Sequence, residues 1–282
     1  MDNFLTPFFK YEFFRDGTLA AMIIGALCGL LGVYIVLRGM SYIGHGLSDA
    51  IFGGAAVAFI MKWNFYLGAG TWGFLSALLI NQTVRRFRIS ADAAIGIVTT
   101  ASFALGVAIV SSQHRFTQDL TASLFGSILG VTPEQLTGVA LVAVTISLGL
   151  FVLYRQLLFT TFDEETARAY GIRTRWIDTF FSLALAAAII VSIQVIGVLM
   201  IAAAIVIPPI TGRLLTDRLD HMILFAMAIG SITALVGSYL SYYLDTSTGA
   251  TIVLTQTAGF LLAIAVNTVR KRNRLAAIHY HM

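Results

Sequence analysis

The sequence is dominated by a series of apolar runs, each close to the length of about 20 residues that a helix needs to cross a bilayer. Hydrophobic residues make up 58% of the 282 residues, charged residues make up 11%, and the mean hydropathy is +0.86. Soluble globular domains carry about 25% charged residues, so this composition excludes them. The chain is therefore predicted to be an all-α, polytopic transmembrane helical bundle, a single domain over residues 1–282 with about eight to nine spans.

Polar and basic residues separate the apolar runs and set the expected span boundaries. A run of 40 residues, 176–215, must turn back once, and Gln194–Gly197 is the expected turn. Within its second half, Pro208-Pro209 predicts a kink or an unwound segment. Thr132, followed by Pro133 and Gln135, is typical of a capped helix start. The other expected spans are 17–37, 42–61, 65–84, 93–112, 221–244 and 251–269, with one more from the Thr132 cap to about residue 155.

Besides the polar segment 159–175, three segments fall outside these spans. Residues 1–16 contain several Phe and Tyr residues, which favours an interfacial segment lying against the lipid headgroups. Gln113–Val131 has an apolar centre too short to cross a bilayer, so a short re-entrant or interfacial helix is expected there. Residues 270–282 form a basic tail. We expect this tail to be cytoplasmic.

The distribution of basic residues orients the bundle in the bilayer. With the N-terminus outside and residues 113–131 returning to the side they left, 14 of the 18 Lys and Arg residues are cytoplasmic. Only Lys10, Arg15, Lys62 and Arg115 remain outside. The net charge of +4 is accounted for by this bias, and a nucleic-acid partner is not expected. The single cysteine, Cys28, excludes an internal disulfide framework.

The stretch Arg38–Gly54 carries the most informative polar residues. His45 and Asp49 are four residues apart and would lie on one face of a helix. Ionisable side chains at membrane depth are costly and mark ion pathways or buried pairs. Three glycines beside them would let another helix or an ion approach the backbone closely. These glycines are Gly46, Gly53 and Gly54.

A polar segment, residues 159–175, interrupts the apolar pattern on the cytoplasmic side. Residues 161–171 are typical of a short soluble helix, with Thr161 as the expected N-cap, Glu164 as its reciprocal partner and Gly171 as a left-handed stop. Such a helix is either a solvated linker or a docking helix that a cytoplasmic subunit grips. Position and composition alone favour neither.

Several stretches together resemble the membrane subunit of ATP-binding-cassette (ABC) importers for manganese, zinc or iron. The matching stretches occur in order from about residue 17 to residue 270, so the resemblance covers nearly the whole chain. They are Leu37–Ser41 with Ile43-Gly44, Asp92–Ile97, Leu124–Leu129, Phe162-Asp163 with Ala167 and Gly171, Val195–Met200, Ile207–Pro209 with Arg213–Leu215, and Gly237–Asp245 with Ser247–Ala250.

The resemblance implies a multi-pass permease in the bacterial inner (plasma) membrane, with a dimeric pathway. A homodimer is expected rather than a pair of paralogues, with an ABC ATPase beneath each membrane subunit and an extracytoplasmic metal-binding protein above. The segment 161–171 then becomes the coupling helix that contacts the ATPase. The coupling residues implied are Phe162, Asp163, Glu164, Glu165, Ala167 and Gly171.

In the family the glycine-rich second span reads Gly-Asp-x-x-Ser-His, and its acid and histidine are regarded as cation ligands. Here the order is reversed, with His45 at the acid position and Asp49 at the histidine position. Imidazole and carboxylate together suit Mn(II), Fe(II) or Zn(II). The oxygen content favours Mn(II), whereas the affinity order favours Zn(II). The metal is expected to be cargo, with no permanently bound cofactor.

Two other functions are compatible with the His45–Asp49 pair. An ion-coupled secondary transporter could use it as a proton or cation relay. An intramembrane enzyme could use it to hold a catalytic metal, but the chain offers neither further ligands nor a general base convincingly. A glycine-rich phosphate loop followed by Lys and Ser or Thr is missing from the sequence. ATP hydrolysis is therefore expected from a separate chain.

Overall fold

The structure, a computed structural model, describes residues 6–40, 42–87, 89–112 and 124–279, and this part of the chain is helical with no strand. The helices are α1 (Thr6–Lys10), α2 (Glu12–Leu37), α3 (Ile43–Ile60), α4 (Phe65–Phe87), α5 (Ala91–Ser112), α6 (Pro133–Val152), α7 (Tyr154–Phe162), α8 (Glu164–Ala169), α9 (Thr174–Ile196), α10 (Val198–Leu215), α11 (Leu219–Leu244) and α12 (Thr248–His279).

Seven of these helices are long and apolar enough to cross a membrane: α2, α5, α6, α9, α10, α11 and α12. Two further helices, α3 with 18 residues and α4 with 23 residues, also belong to the bundle and pack against each other. The all-α bundle is confirmed, and the predicted number of eight to nine spans is an approximate match to these helices.

Helix α2 lies at the centre of the bundle and packs against α11, α10, α6 and α9. It meets α11 with direct backbone contact, where two glycines face each other. A Cβ atom built on Gly25 would lie 2.3 Å from the carbonyl oxygen of Gly230, and one built on Gly230 would lie 2.1 Å from that of Gly25. The two backbones can meet only because both side chains are missing, which is the small-residue packing typical of membrane helices.

The long apolar run 176–215 turns back where the sequence predicts. Helix α9 ends at Ile196, and Gly197 has a φ of 85°, a left-handed conformation that favours glycine. The segment around Gly126 packs directly on this turn, and the backbone N–H of Ser127 donates to the carbonyl of Gln194 at 2.8 Å. The predicted turn is confirmed.

Of the two effects predicted for Pro208-Pro209, a kink or an unwound segment, the unwound segment does not form. Helix α10 continues through both prolines from Val198 to Leu215. A proline at position 209 leaves the carbonyl of Ile205 without its usual helical donor. That carbonyl points at Gly32 of α2, where an added Cβ would lie only 1.9 Å from its oxygen, so the glycine backbone covers it.

The chain ends differ from the expected boundaries. Helix α2 begins at Glu12, so the last residues of the predicted interfacial segment 1–16 belong to the first span. There Phe14 is fully buried, with ring centroids 5.0 Å from those of Tyr239 and Tyr242. At the other end α12 continues to His279, through most of the predicted tail. The greater part of the predicted re-entrant segment, residues 113–123, lies outside the described residues.

The helix start at Thr132 has the predicted capping box. The Thr132 hydroxyl accepts from the backbone N–H of Gln135 at 3.3 Å, and the Gln135 side chain accepts from the backbone N–H of Thr132 at 3.1 Å. Pro133 occupies the first helical position, where a missing N–H costs no hydrogen bond. This cap fixes where the chain enters α6.

Candidate functional site

The candidate site begins at the connector between α2 and α3. Gly39 adopts a φ of 66° and closes α2, and the backbone N–H of Met40 donates to the carbonyl of Ile35 at 3.1 Å. This is the hydrogen bond of a Schellman motif, which stops a helix sharply. The backbone N–H of Ile43 then donates to the carbonyl of Met40 at 3.0 Å, and α3 begins. The next helix therefore starts within a few residues of the previous one.

His45 and Asp49 lie in the first two turns of α3, one above the other. Nε2 of His45 is 3.8 Å from Oδ2 of Asp49, too far for a hydrogen bond. Their side chains are 41% and 26% exposed, whereas Ser48 between them is fully buried and donates its hydroxyl to the carbonyl of His45 at 2.8 Å. The ring of Tyr42 lies 5.6 Å from the His45 ring. The imidazole and the carboxylate thus share one partly open face of α3.

The three glycines predicted to pack beside the pair are each covered by a neighbouring helix. A Cβ on Gly46 would lie 2.5 Å from the Ile95 side chain of α5, and one on Gly53 would lie 2.6 Å from the carbonyl oxygen of Ser102. A Cβ on Gly54 would lie 2.2 Å from Trp72 of α4. At these glycines α4 and α5 lie directly against the backbone of α3, with no open space between them. The side chains of His45 and Asp49 remain partly exposed.

One chain supplies few metal ligands at this site. Among the residues that the structure describes, no group of three or more His, Cys, Asp or Glu side chains is placed to hold a metal ion. Cys28 is buried in α2 and cannot add a thiolate to α3. A metal held by His45 and Asp49 would therefore need water or groups of another molecule to complete its coordination.

The polar segment 159–175 has a different cap from the predicted one. Thr161 lies inside α7, where its hydroxyl donates to the carbonyl of Leu157. The N-cap of α8 is Asp163, whose carboxylate accepts from the backbone N–H of Thr166 at 2.8 Å and from the Thr166 hydroxyl at 2.5 Å. These hydrogen bonds lower the pKa of Asp163. The reciprocal partner expected in Glu164 is instead paired with Arg168, one turn along α8.

The end of α8 is as predicted. Gly171 has a φ of 79°, and the backbone N–H of Ile172 donates to the carbonyl of Ala167 at 3.0 Å. Ala167 is fully buried, whereas Phe162 and Tyr170 are 66% and 79% exposed. Glu165 is exposed as well. The segment therefore has a fixed inner side and an outer side where aromatic and acidic side chains meet solvent.

Sequence reasoning missed one polar residue of this region, Asp178 in the second turn of α9. Its carboxylate forms an ion pair with Arg38 at 2.9 Å, although the two residues are 140 positions apart. A carboxylate inside an apolar run was the signal that could have shown it, because such a group needs a partner near the membrane. The partner itself cannot be read from any local pattern.

Comparison with known proteins places the chain in a family. The model of the ABC 3 transport family matches residues 10–267. The chain is 34% identical to the manganese transport system membrane protein MntC of Listeria innocua over 92% of each chain. It is 32% identical to the chelated iron transport system membrane protein YfeC of Yersinia pestis, covering 99% of this chain and 96% of that one.

A solved structure gives the same result for the fold. PsaBC from Streptococcus pneumoniae, in complex with Fab, superposes with a TM-score of 0.82 at 30% identity, covering 92% of this chain and 94% of that chain. The predicted family resemblance is confirmed over nearly the whole sequence. The chain belongs to the ABC 3 transport family and is a multi-pass permease subunit of an ABC transporter in the bacterial plasma membrane.

Proposed function

We propose that this permease imports a divalent transition metal, with His45 and Asp49 as transient ligands on the pathway. The observation that carries the proposal is the placement of an imidazole and a carboxylate 3.8 Å apart on a face of α3 that neighbouring helices leave open. The names of the relatives support a metal as cargo, because they refer to manganese and iron transport. Mn(II) is the favoured ion, and Fe(II) and Zn(II) fit the same ligands.

Two ligands from one chain hold a divalent ion loosely, and this suits a site that must release its cargo. A second copy of the chain facing the same surface would bring the set to two imidazoles and two carboxylates. Completion across a homodimer explains why one chain offers so few ligands. It also explains why the pair lies on an open face of α3 and not in the core of the bundle.

The reversed order of His45 and Asp49 keeps both ligand types at the same helical spacing. Residues four apart lie within about 6 Å on one face, whichever comes first. The exchange moves each ligand by about one helical turn along the pathway, or about 5 Å. We therefore assign the pair as a ligand set and place no weight on which side chain meets the ion first.

We further propose that the segment around α8 is the coupling element that a separate ATPase grips. Its ends are fixed by the Asp163 cap and by Gly171, and Ala167 anchors it to the bundle. The exposed side chains of the segment include Phe162, Glu165 and Glu164, the last of which is paired with Arg168. An aromatic anchor with charged neighbours is a common composition for a docking surface.

An extracytoplasmic metal-binding protein would deliver the ion on the opposite side of the membrane. The orientation set by the basic residues places the ends of α9 and α11, and the start of α12, on that side. In this assignment, the permease supplies the pathway, and both the ATP hydrolysis and the initial metal capture belong to other chains.

Metal uptake into proteoliposomes tests this function against the secondary-transporter alternative. The permease is reconstituted with its ATPase and given ⁵⁴Mn(II), with the metal-binding protein present. We expect uptake that requires ATP and is lost when the catalytic base of the ATPase is removed. Uptake that persists with the inactive ATPase and follows a proton gradient would show that the chain is an ion-coupled carrier.

A further inference from the structure

Arg38, the last residue before the α2–α3 connector, is buried in a set of polar contacts. Only 9% of its side chain is exposed. Nη1 donates to the Asp178 carboxylate at 2.9 Å, Nε donates to the Thr161 hydroxyl at 3.1 Å, and Nη2 donates to the Thr160 hydroxyl at 3.2 Å. The guanidinium also lies 4.9 Å from the ring centroid of Phe181. All three nitrogens of the guanidinium are therefore hydrogen-bonded.

Both threonine hydroxyls donate their own protons elsewhere, so their oxygens can accept these hydrogen bonds. The Thr161 hydroxyl donates its own proton to the carbonyl of Leu157 at 2.6 Å, and the Thr160 hydroxyl donates to carbonyls of the same turn. Their oxygen lone pairs are left for Arg38. The planar guanidinium can donate to the Asp178 carboxylate and to both threonine oxygens at once, whereas a lysine ammonium lacks this fixed set of donors. The site therefore favours arginine over lysine.

The partners of Arg38 flank the coupling segment in the chain. Thr160 and Thr161 lie in the last turn of α7, directly before the Asp163 cap of α8. Asp178 and Phe181 lie in the first turns of α9, directly after the segment. A single side chain therefore holds both ends of the segment that we assign to the ATPase.

The backbone of Arg38 leads in the other direction, to the metal-binding helix. The connector is closed by the αL conformation of Gly39 and by hydrogen bonds at Met40 and Ile43, so it is short and ordered at these residues. His45 follows seven residues after Arg38. Because the connector is short and hydrogen-bonded, a displacement of Arg38 also displaces the start of α3.

A cavity beside Arg38 separates the coupling segment from two neighbouring helices. It has a volume of about 420 Å³ and lies between the segment and the ends of α4 and α5, lined by residues that include Glu164, Arg168, Asn81 and Ala91. A movement of the segment therefore reaches α3 through α9, which packs on α3. The Arg38 guanidinium adds a polar link, because it binds both α7 and α9 and leads to the connector before α3.

We propose that Arg38 is the positioning residue that couples movement of the ATPase-docking segment to the helix that carries His45 and Asp49. This inference rests on the proposed function, because it takes the roles of α3 and of the α8 segment from there. It predicts that loss of the guanidinium separates ATP hydrolysis from metal transport, while the ATPase still binds the permease and α3 still carries His45 and Asp49. Uncoupling differs from a folding defect, which would lower all activities together.

The test uses the complete complex in proteoliposomes, with a reporter cysteine at the start of α3. Cys28→Ala removes the native thiol, and Tyr42→Cys adds one at a position that is 49% exposed. The labelling rate with a water-soluble maleimide is measured with and without MgATP and vanadate, beside ATP hydrolysis and ⁵⁴Mn(II) uptake. We expect a nucleotide-dependent change of about threefold or more in the parent complex.

In the Arg38→Gln and Asp178→Asn variants we expect the nucleotide-dependent change in labelling to disappear. Uptake per ATP hydrolysed should fall about tenfold, while the ATPase still co-purifies and hydrolyses ATP. Arg218→Gln is the matched control, because Arg218 is an exposed arginine at the start of α11 on the same side of the membrane. That variant should keep the full labelling response.

Two further variants keep the test decisive if a lone buried charge destabilises the single variants. The double variant Arg38→Gln/Asp178→Asn removes both charges, and Arg38→Lys keeps the charge but not the fork of donors. We expect both to assemble, with the labelling response absent in the double variant and reduced in Arg38→Lys. The proposal is overturned if labelling in the assembled variants responds as in the parent, if the parent shows no response, or if neither of these two variants assembles.

Failure of this proposal and failure of the proposed function have different signatures. If the chain is not an ATP-driven metal importer, the parent complex shows no ATP-dependent ⁵⁴Mn(II) uptake. If only the role of Arg38 is wrong, the parent imports the metal and the Arg38 and Asp178 variants import it with the same yield per ATP.

Discussion

His45 and Asp49 lie one helical turn apart, with 3.8 Å between Nε2 and Oδ2, on the face of α3 that neighbouring helices leave partly open. Gly46, Gly53 and Gly54 let α4 and α5 pack directly against the backbone of α3, the helix that holds the pair.

The first prediction concerns the reversed order of the two ligands. Exchange of the residues in the double variant His45→Asp/Asp49→His restores the order usual in the family and keeps both ligand types at the same spacing. We expect ATP-dependent Mn(II) uptake within about tenfold of the unmodified permease. Uptake in proteoliposomes is the measurement, and the matched control is His45→Asn/Asp49→Asn, which keeps two polar side chains and removes the imidazole and the carboxylate. Equal loss in the two variants would contradict the interchangeable ligand set.

The second prediction concerns the crossing of α2 and α11. Gly25→Val places a side chain where a Cβ would already lie 2.3 Å from a backbone oxygen, so the helices must separate. Overpacking of this kind costs about 1–3 kcal/mol. We expect a lower Tm and a lower yield of folded permease in detergent. Gly138→Val is the control, because a Cβ at Gly138 meets nothing within 4 Å. Equal Tm values for both variants would contradict the close crossing.

The third prediction concerns the cap of α8 and its pH dependence. Hydrogen bonds from Thr166 lower the pKa of Asp163 in the folded protein, so the cap stabilises α8 above the unfolded pKa of about 4 and is lost only as the pH falls through the lowered folded value. Co-purification of the ATPase should therefore show no change from Asp163 between about pH 5 and pH 8. Asp163→Ala should weaken it, and Asp163→Asn, which keeps an acceptor, should not. Equal binding of the Ala variant would contradict a role for the cap.

The fourth prediction concerns the acidic surface of the coupling segment. Charge reversal in Glu164→Lys/Glu165→Lys removes two exposed acids and the partner of Arg168. We expect association with the ATPase to weaken by at least about tenfold, measured by titration of the ATPase against permease in nanodiscs. Glu134→Lys, at the first turn of α6 on the opposite side of the membrane, is the control and should bind normally. Unchanged affinity after the double reversal would remove these acids from the docking surface.

Local chemistry made some of the fold predictable. The turn at Gly197 follows from the 40-residue apolar run, which must turn back to stay in the bilayer. The capping box at Thr132 and the left-handed stop at Gly171 could be predicted because helix starts and helix ends strongly prefer these residue types. The face shared by His45 and Asp49 follows from helical spacing alone.

The remaining features depend on contacts that are distant in sequence. Thr161 and Asp163 both suit an N-cap, but α7 continues to Phe162, and the Thr161 hydroxyl accepts from Arg38, which is 123 positions away. The helical path through Pro208 and Pro209 depends on packing against Gly32 of another helix. The pairing of Arg38 with Asp178 joins residues that no local pattern connects.

His45 and Asp49 are proposed to bind the transported metal, and metal uptake by variants of these two residues tests this most directly. ATP-dependent ⁵⁴Mn(II) uptake is compared in proteoliposomes that contain equal amounts of assembled complex with the unmodified permease, His45→Ala or Asp49→Ala. We predict that each substitution abolishes uptake, while the ATPase co-purifies and hydrolyses ATP as before. Uptake by either variant at the rate of the unmodified permease would contradict the account.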